Sequence, residues 1–283
     1  MPAEYPETMV TPGHTYSLIT ALHPAKMVYF AETGRSVLSQ RLPTGWDLQW
    51  VVLLDGGTEQ DKQRCVQMCA PYGRLDRLWI GAVQPQAGLP VCRNLALAGA
   101  KGELIRAMDG DDVLPARALQ RDIKAMLAHP EVGWCASASF NLQADGSPAD
   151  EGGWLDPPEG IIRRGQLGVW WEGKGDRGEE HEQPEVLPVH PISFCIRAPL
   201  LRALGGWMGV APGSEETGLV VALSELTAGW FIPQIGLRYR IWTQSVMAKD
   251  MDNTAAVDAA AAAVGQRLEA IRLLRAGVPY LGA

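Results

Sequence analysis

No window of the chain approaches the ~20 consecutive apolar residues that a membrane-crossing helix requires. The opening MPAEYPETMV has neither a basic start nor an apolar run. The expectation is a cytoplasmic protein without a membrane span. Positive charge is also scarce: 25 Lys and Arg stand against 32 Asp and Glu, a formal net charge of -7. Proteins that grip nucleic-acid backbones use clustered cations to displace counterions, so nucleic acid is not an expected partner. A small anionic ligand stays compatible if a metal or a few placed arginines neutralise it locally. The five cysteines (Cys65, Cys69, Cys92, Cys135, Cys195) form no Cys-x-x-Cys pair. Odd in number and scattered, they read as reduced core thiols rather than a zinc site or a disulfide framework. No internal repeat is visible.

What is present is a core-forming chain of 283 residues, 47% hydrophobic, enough for one large domain or two small ones. Its first two-fifths alternate short β-rich runs with helical stretches. YSLIT (16–20) reads as a strand, and MVYFAETGRSVLSQ (27–40) as a helix with Phe30, Ala31, Val37 and Leu38 for one face. LQWVVLL (48–54) is a near-continuous apolar strand, as in a sheet covered on both sides. DKQRCVQMCA, RLWIGA, VCRNLALAGA and ELIRAM follow as helix, strand, helix and strand. That order implies an α/β fold with a mostly parallel central sheet flanked by helices. Thr20, Asp55 and Asp109 then fall at strand ends on one carboxyl edge, where open α/β sheets bind ligands.

After a helix opening at Pro115 and the strand VGWCASASF, residues 141–190 turn rich in Gly, Pro and acidic groups and read as a long functional loop. Order resumes with ISFCIR, a helix from Glu215, and two strands, WFIP and LRYRIW. The last element is an Ala-rich helix, with Asp252 or Asn253 as its cap. Its apolar positions Val264, Leu268, Ile271 and Leu274 suit packing on the domain or on a second copy of the chain.

The stretch AMDGDDVLP (107–115) sets Asp109, Asp111 and Asp112 around one glycine. Carboxylates this close repel, and one is driven toward protonation unless positive charge sits between them. A cation is the expected answer.

In its wider setting, LPVCRNLALAGAKGELIRAMDGDDVLPARAL (89–119) resembles the central segment of family 2 glycosyltransferases of the GT-A fold, with SLIT, SVLSQ and VVLLDGGT upstream and IRAPLLRALGGW and EETGLVVAL downstream. The resemblance implies a GT-A domain over 1–248, its nucleotide-sugar half about 14–140 and acceptor half about 141–248, with the C-terminal helix in 249–283. It implies that Asp111 and Asp109 hold a divalent cation, Mg2+ or Mn2+, against the donor diphosphate, a hard-oxygen site of one or two carboxylates. Asp112 would support the turn. Thr20, Asp55, Arg93 and Asp109 would contact the nucleotide, Asp55 by accepting a ring N–H of uracil and Arg93 by offsetting phosphate charge. Glu215 and Glu216 stand where the family has its general base; Glu216 takes an Asp position and is one methylene longer, so which glutamate acts stays open. Two acids stabilising a helix N-terminus is the plain alternative.

Trp154, Trp170 and Trp171 either stack on an acceptor or anchor the loop, and His190 is a further candidate acceptor contact. Trp242 stands where the family often carries an extra histidine ligand. The implied activity is inverting, metal-dependent transfer of a sugar from a nucleotide-diphosphate donor, UDP-linked by the resemblance, to a hydroxyl or amine of a soluble small-molecule or glycan acceptor. Two other readings fit parts of the motif. MDGDDV also resembles the nucleophile loop of haloacid-dehalogenase-like phosphatases, with Asp109 phosphorylated and Asp111 as acid/base. A non-catalytic nucleotide-sugar binder would keep the turn and need no base.

Overall fold

The first strand, β1 (His14–Leu22), is buried from Thr15 onward. Its side chains alternate between two cores: Tyr16, Leu18 and Leu22 face one, Ile19 and Ala21 the other. β2 (Trp46–Asp55) is apolar for the same reason. The structure, a computed structural model, describes residues 13–149, 157–172, 187–209, 214–241 and 254–277. Trp154, Trp242 and the cap candidates Asp252 and Asn253 lie outside these residues.

The remaining strands are β3 (Leu78–Val83), β4 (Leu104–Ala107), β5 (Trp134–Leu142), β6 (Gly160–Ile162), β7 (Phe194–Arg197) and β8 (Gly229–Arg240). They form one eight-stranded sheet in the order β3-β2-β1-β4-β7-β5-β8-β6. The first four are mutually parallel, β7 runs antiparallel between β4 and β5, β8 is parallel to β5, and β6 is an antiparallel edge. Helices α1 (Met27–Leu38), α2 (Glu59–Cys69) and α4 (Ala118–Ala128) cover one face. The other carries α3 (Leu89–Gly99), α5 (Gln166–Trp171), α6 (Ala198–Ala203), α7 (Ser214–Leu226) and α8 (Thr254–Arg275). The expected mostly parallel sheet between helical layers is observed.

Several boundaries differ from the sequence reading. β1 continues to Leu22, so Thr20 lies inside the strand rather than at its end. The helix after the acidic turn starts at Ala118 rather than Pro115, because Arg117 takes a left-handed backbone (φ 62°). WFIP and LRYRIW are one strand: β8 bulges past Pro233, its register against β5 shifting between Ser137 and Ser139, which lets a residue without an N–H sit inside a ladder. The Gly- and Pro-rich stretch contains β6, paired to β8, and α5, whose Leu167 N–H donates to Ser224 Oγ at 3.1 Å.

All five cysteines are buried and free. α8 packs its Val264 and Leu268, each 1% exposed, into this chain's own core, whereas Leu274 is exposed. Arg272 reaches Glu225 at 2.9 Å and also Glu172, and Arg275 pairs with Glu225, fastening the helix end to α7. Among the described residues no helix is long and apolar enough to cross a membrane.

Candidate active site

β4 ends at Ala107, and Met108 N–H still donates to Ile19 O at 3.0 Å. The chain leaves the sheet at Asp109. Gly110 then passes over the end of β1 so closely that a Cβ there would meet Leu22 Cδ1 at 2.4 Å, which explains the single glycine among the acids. Thr33 Oγ1 of α1 lies 2.9 Å from Gly110 O and 2.8 Å from Asp112 O. From β8, Arg240 Nε donates to Asp111 O and its backbone N–H to Asp112 Oδ1, both at 2.9 Å. Arg240 is itself held by Ala144 O at 2.9 Å and by the Tyr29 ring, 4.6 Å from its guanidinium carbon. The turn is clamped from both sides.

Two cations enter this turn. Lys26, the last residue of a 3-10 turn (Pro24–Lys26) that follows β1, donates from Nζ to Asp109 Oδ2 and Asp111 Oδ1, each at 3.1 Å. Arg93 of α3 donates to Asp109 Oδ1 at 2.7 Å and to Glu215 Oε1 at 3.1 Å, and pairs with Glu216. Lys26, Asp109, Arg93, Glu215 and Glu216 therefore form one continuous chain of contacts drawn from four separate elements. Lys26, Asp109 and Glu216 keep 8, 6 and 6% exposure, so the chain still reaches the surface at those points.

The charges do not balance. Burial raises the Asp109 carboxyl, but Lys26 and Arg93 outweigh it and hold it at about 2. Burial also lifts Asp112 well above the carboxylate range, with Asp111 and Asp109 adding to it, and its Oδ2 has no hydrogen-bond partner among the described residues. Asp111 is raised by burial in the same way, against the pull of Lys26. Glu216 is pushed up to about 8 by burial, with Glu215 and Asp109 adding to the rise: one guanidinium shared among three acids does not hold all of them ionised. A carboxyl poised there is suited to proton exchange near neutral pH.

The structure thus brings together Asp109, Asp111, Arg93, Glu215 and Glu216. It places the other candidates differently. Thr20 Oγ1 accepts from Trp50 Nε1 at 3.0 Å within the buried face of the sheet. Asp55 does end β2, but its carboxylate accepts from Ala87 N–H at 2.7 Å and Gly88 N–H at 3.1 Å, bracing the loop before α3. Trp170 and Trp171 sit on α5, which docks by Ser224, about 12 Å of helix rise along α7 from Glu216. Trp171 lies against the C-terminal helix, its ring 3.5 Å from where a Cβ on Gly265 would be. His190 stands beside the cluster: its Nδ1 accepts from Ile192 N–H at 3.2 Å, its ring packs on Tyr239 at 4.5 Å, and burial drops its pKa to about 3 against the opposing pull of Asp109, leaving a neutral imidazole.

Sequence reasoning missed Lys26, Arg240 and Thr33. One signal was available for Lys26: a lysine at a helix start opposes the helix dipole.

The carboxylate pair has the hard oxygens a divalent cation prefers, yet as arranged it does not fit one. An ion such as Mg2+ needs its carboxylate oxygens at about 2.0–2.1 Å, and the facing oxygens of Asp109 and Asp111 already share the Lys26 ammonium. An ion and the ammonium compete for one place.

Four parallel strands, an antiparallel strand beside them and flanking helices form a GT-A-like fold, with the acidic turn at its carboxyl edge. Among solved structures, that of S. aureus TarS 1-349 in complex with UDP-GlcNAc matches with a TM-score of 0.60 at 16% identity, covering 83% of this chain and 60% of that one. The same protein in complex with UDP gives 0.59 at 16% identity over 81% and 61%. The mannosyltransferase PcManGT from Pyrobaculum calidifontis, in complex with GDP-Man and Mn2+, gives 0.55 at 16% identity over 86% and 61%. At these identities the likeness is one of fold, and the chain spans about three-fifths of those structures' length. No family model matches the chain, and no curated protein matches it.

Proposed function

We propose that the chain transfers a sugar from a nucleotide-diphosphate donor to a hydroxyl or amine acceptor, inverting the anomeric carbon. The observation that carries this reading is the contact chain from Lys26 through Asp109 and Arg93 to Glu215 and Glu216. It sets cations for a diphosphate beside a carboxyl able to take a proton, at the sheet edge where a GT-A-like fold binds its donor. Glu216 accepts the acceptor's proton as its oxygen or nitrogen attacks. The anomeric C–O bond breaks, its electron pair leaves with the diphosphate, and fixed positive charge meets that developing charge. No step here runs through a divalent cation, since Lys26 stands where it would bind.

The N–H groups of Ala87 and Gly88 take part of the accepting capacity of Asp55, and no contact of that carboxylate singles out uracil. The proposal therefore covers nucleoside-diphosphate sugars as a class. The phosphatase reading is poorly supported, because Asp109 has one oxygen on Arg93 and the other on Lys26 and is a weak nucleophile there.

The test is release of nucleoside diphosphate in the presence of acceptor, with donor affinity measured separately by calorimetry. Glu216→Gln is expected to lower kcat by about 10²–10⁴-fold while leaving donor affinity essentially unchanged. A variant that turns over like the wild type removes Glu216 from the mechanism. Hydrolysis of an aryl phosphate without any nucleotide sugar would instead favour the phosphatase.

A further inference from the structure

We propose that Lys26 takes the place of the divalent cation of a GT-A site, so that its ammonium, and not a metal ion, orders the acidic turn and meets the donor's diphosphate. The inference rests on the transferase reading above and names the group that compensates the leaving charge.

The geometry comes from the short connection after β1. Pro24 opens a single 3-10 turn, His23 Nδ1 accepts from Ala25 N–H at 3.2 Å, and Lys26 N–H closes the turn on His23 O at 2.9 Å. This fixes the backbone of Lys26 directly over the carboxyl edge. The ammonium has three N–H groups. Two go to Asp109 Oδ2 and Asp111 Oδ1 at 3.1 Å; the third has no partner among the described residues, on a side chain still 10% exposed. A donor hydrogen is thus left over beside a site that must receive an anion.

The position is also a poor one for lysine by local rules. Lys26 is the N-cap residue of α1 and makes no side-chain cap hydrogen bond, where Ser, Thr, Asp or Asn is favoured and positive charge opposes the helix dipole. A residue that breaks a local preference at a sheet edge where ligands bind points to function. Its charge is supported from outside the helix, by the two carboxylates that would otherwise hold the metal.

The experiment is donor binding by calorimetry with UDP-GlcNAc and with GDP-mannose, in EDTA and in Mn2+, alongside the electron paramagnetic resonance signal of free Mn2+. For the wild type, affinity for the accepted donor is expected to be the same in both media, and the protein with nucleotide should leave the free Mn2+ signal undiminished. Lys26→Ala should weaken binding in EDTA by at least about tenfold, the loss of one charge-assisted hydrogen bond, and should bind one Mn2+ that restores it. Lys26→Arg keeps the charge and should keep binding in EDTA; with the wild-type arms it decides the matter if the alanine variant does not fold. Nucleotide binding by the wild type that requires Mn2+, with one ion bound per chain, overturns the proposal and leaves the transferase reading standing. Failure to bind either nucleotide sugar in either medium overturns both.

Discussion

Two clusters of buried charge lie on either side of β4, and they are built on opposite principles. On the α4 side, Arg106 donates to Asp122 Oδ2 at 3.0 Å and to Gly236 O at 3.0 Å, and Tyr16 Oη donates to the same carboxylate oxygen at 2.9 Å. Here one cation meets one acid, all within 1% exposure. At the carboxyl edge two cations, Lys26 and Arg93, pair directly with carboxylates among five acids, while a third, Arg240, directs its guanidinium to Asp111 O and Glu32. Among the described residues Asp112 Oδ2, Glu215 Oε2 and Arg93 Nε have no hydrogen-bond partner, against Arg106 Nε in the first cluster. A matched pair has one stable protonation state and fixes geometry. An unmatched one leaves carboxyl groups close to gaining or losing a proton, a useful property in a group that must accept one.

The contrast is broken most severely at Asp122. Replacing it with Ala strands the Arg106 guanidinium in the sheet core, and loss of one partner of a buried pair costs about 3–5 kcal/mol. Urea unfolding should show that loss, whereas Arg106→Met combined with Asp122→Leu should recover most of it. Recovery by the double variant would show that the pair is a structural device. A double variant as unstable as Asp122→Ala would say instead that its polar atoms are needed elsewhere.

The matching change in the second cluster is Arg93→Met, for which the expected loss is smaller, about 1–3 kcal/mol. Glu216 already holds a proton up to about 8, so fewer uncompensated charges remain when the guanidinium leaves. Donor binding should fall far more than stability. A stability loss as large as that of Asp122→Ala would erase the distinction between the clusters.

Acidity sharpens the same comparison. Glu216 must be ionised to take a proton, so turnover should fall roughly tenfold per unit as pH drops below about 8. Stability runs the other way. The folded carboxyl binds its proton more tightly than the unfolded one, ordinarily near 4.5. That contribution is complete below the unfolded value and is lost as pH rises through about 8. Turnover and unfolding free energy measured from pH 5 to 9 should therefore move in opposite directions, and Arg93→Met should shift the turnover midpoint upward by removing the one charge that lowers it. A rate flat between pH 6 and 9 would exclude Glu216 as the base.

Much of this site was legible from the chain. Alternating strand and helix signals located the carboxyl edge, and Asp55 and the 109–112 turn do lie there. The need for positive charge among the acids followed from repulsion alone. What could not be read was which cation answers it, because Lys26 is 83 residues from Asp109 and only the parallel pairing of β1 with β4 brings them together. Arg240, 129 residues beyond Asp111, arrives by way of β8. Asp55 lies at the strand end as read, but the chain could not show that its carboxylate also accepts from the N–H groups of Ala87 and Gly88. In the Gly- and Pro-rich region, β6 and α5 depend on partners in β8 and α7 rather than on their own periodicity.

The smallest expected effect concerns Thr33. α1 and the residues just past its end bury a polar stripe of Thr33, Ser36 and Gln40, and all three bind the segment 110–119: Ser36 Oγ accepts from Leu114 N–H at 3.1 Å, and Gln40 donates to Pro115 O at 2.9 Å. Thr33→Val keeps the shape and β-branching but removes the hydroxyl from Gly110 O and Asp112 O, with an expected cost of about 1 kcal/mol. If the acidic turn is a preformed anion site, donor affinity should fall severalfold in this variant, even though Thr33 touches neither cation. The balanced cluster offers the control, since Asp122 takes no part in that turn. Thr33→Val that lowers stability without changing donor affinity would mean that Lys26, Arg93 and Arg240 hold the turn in place without it.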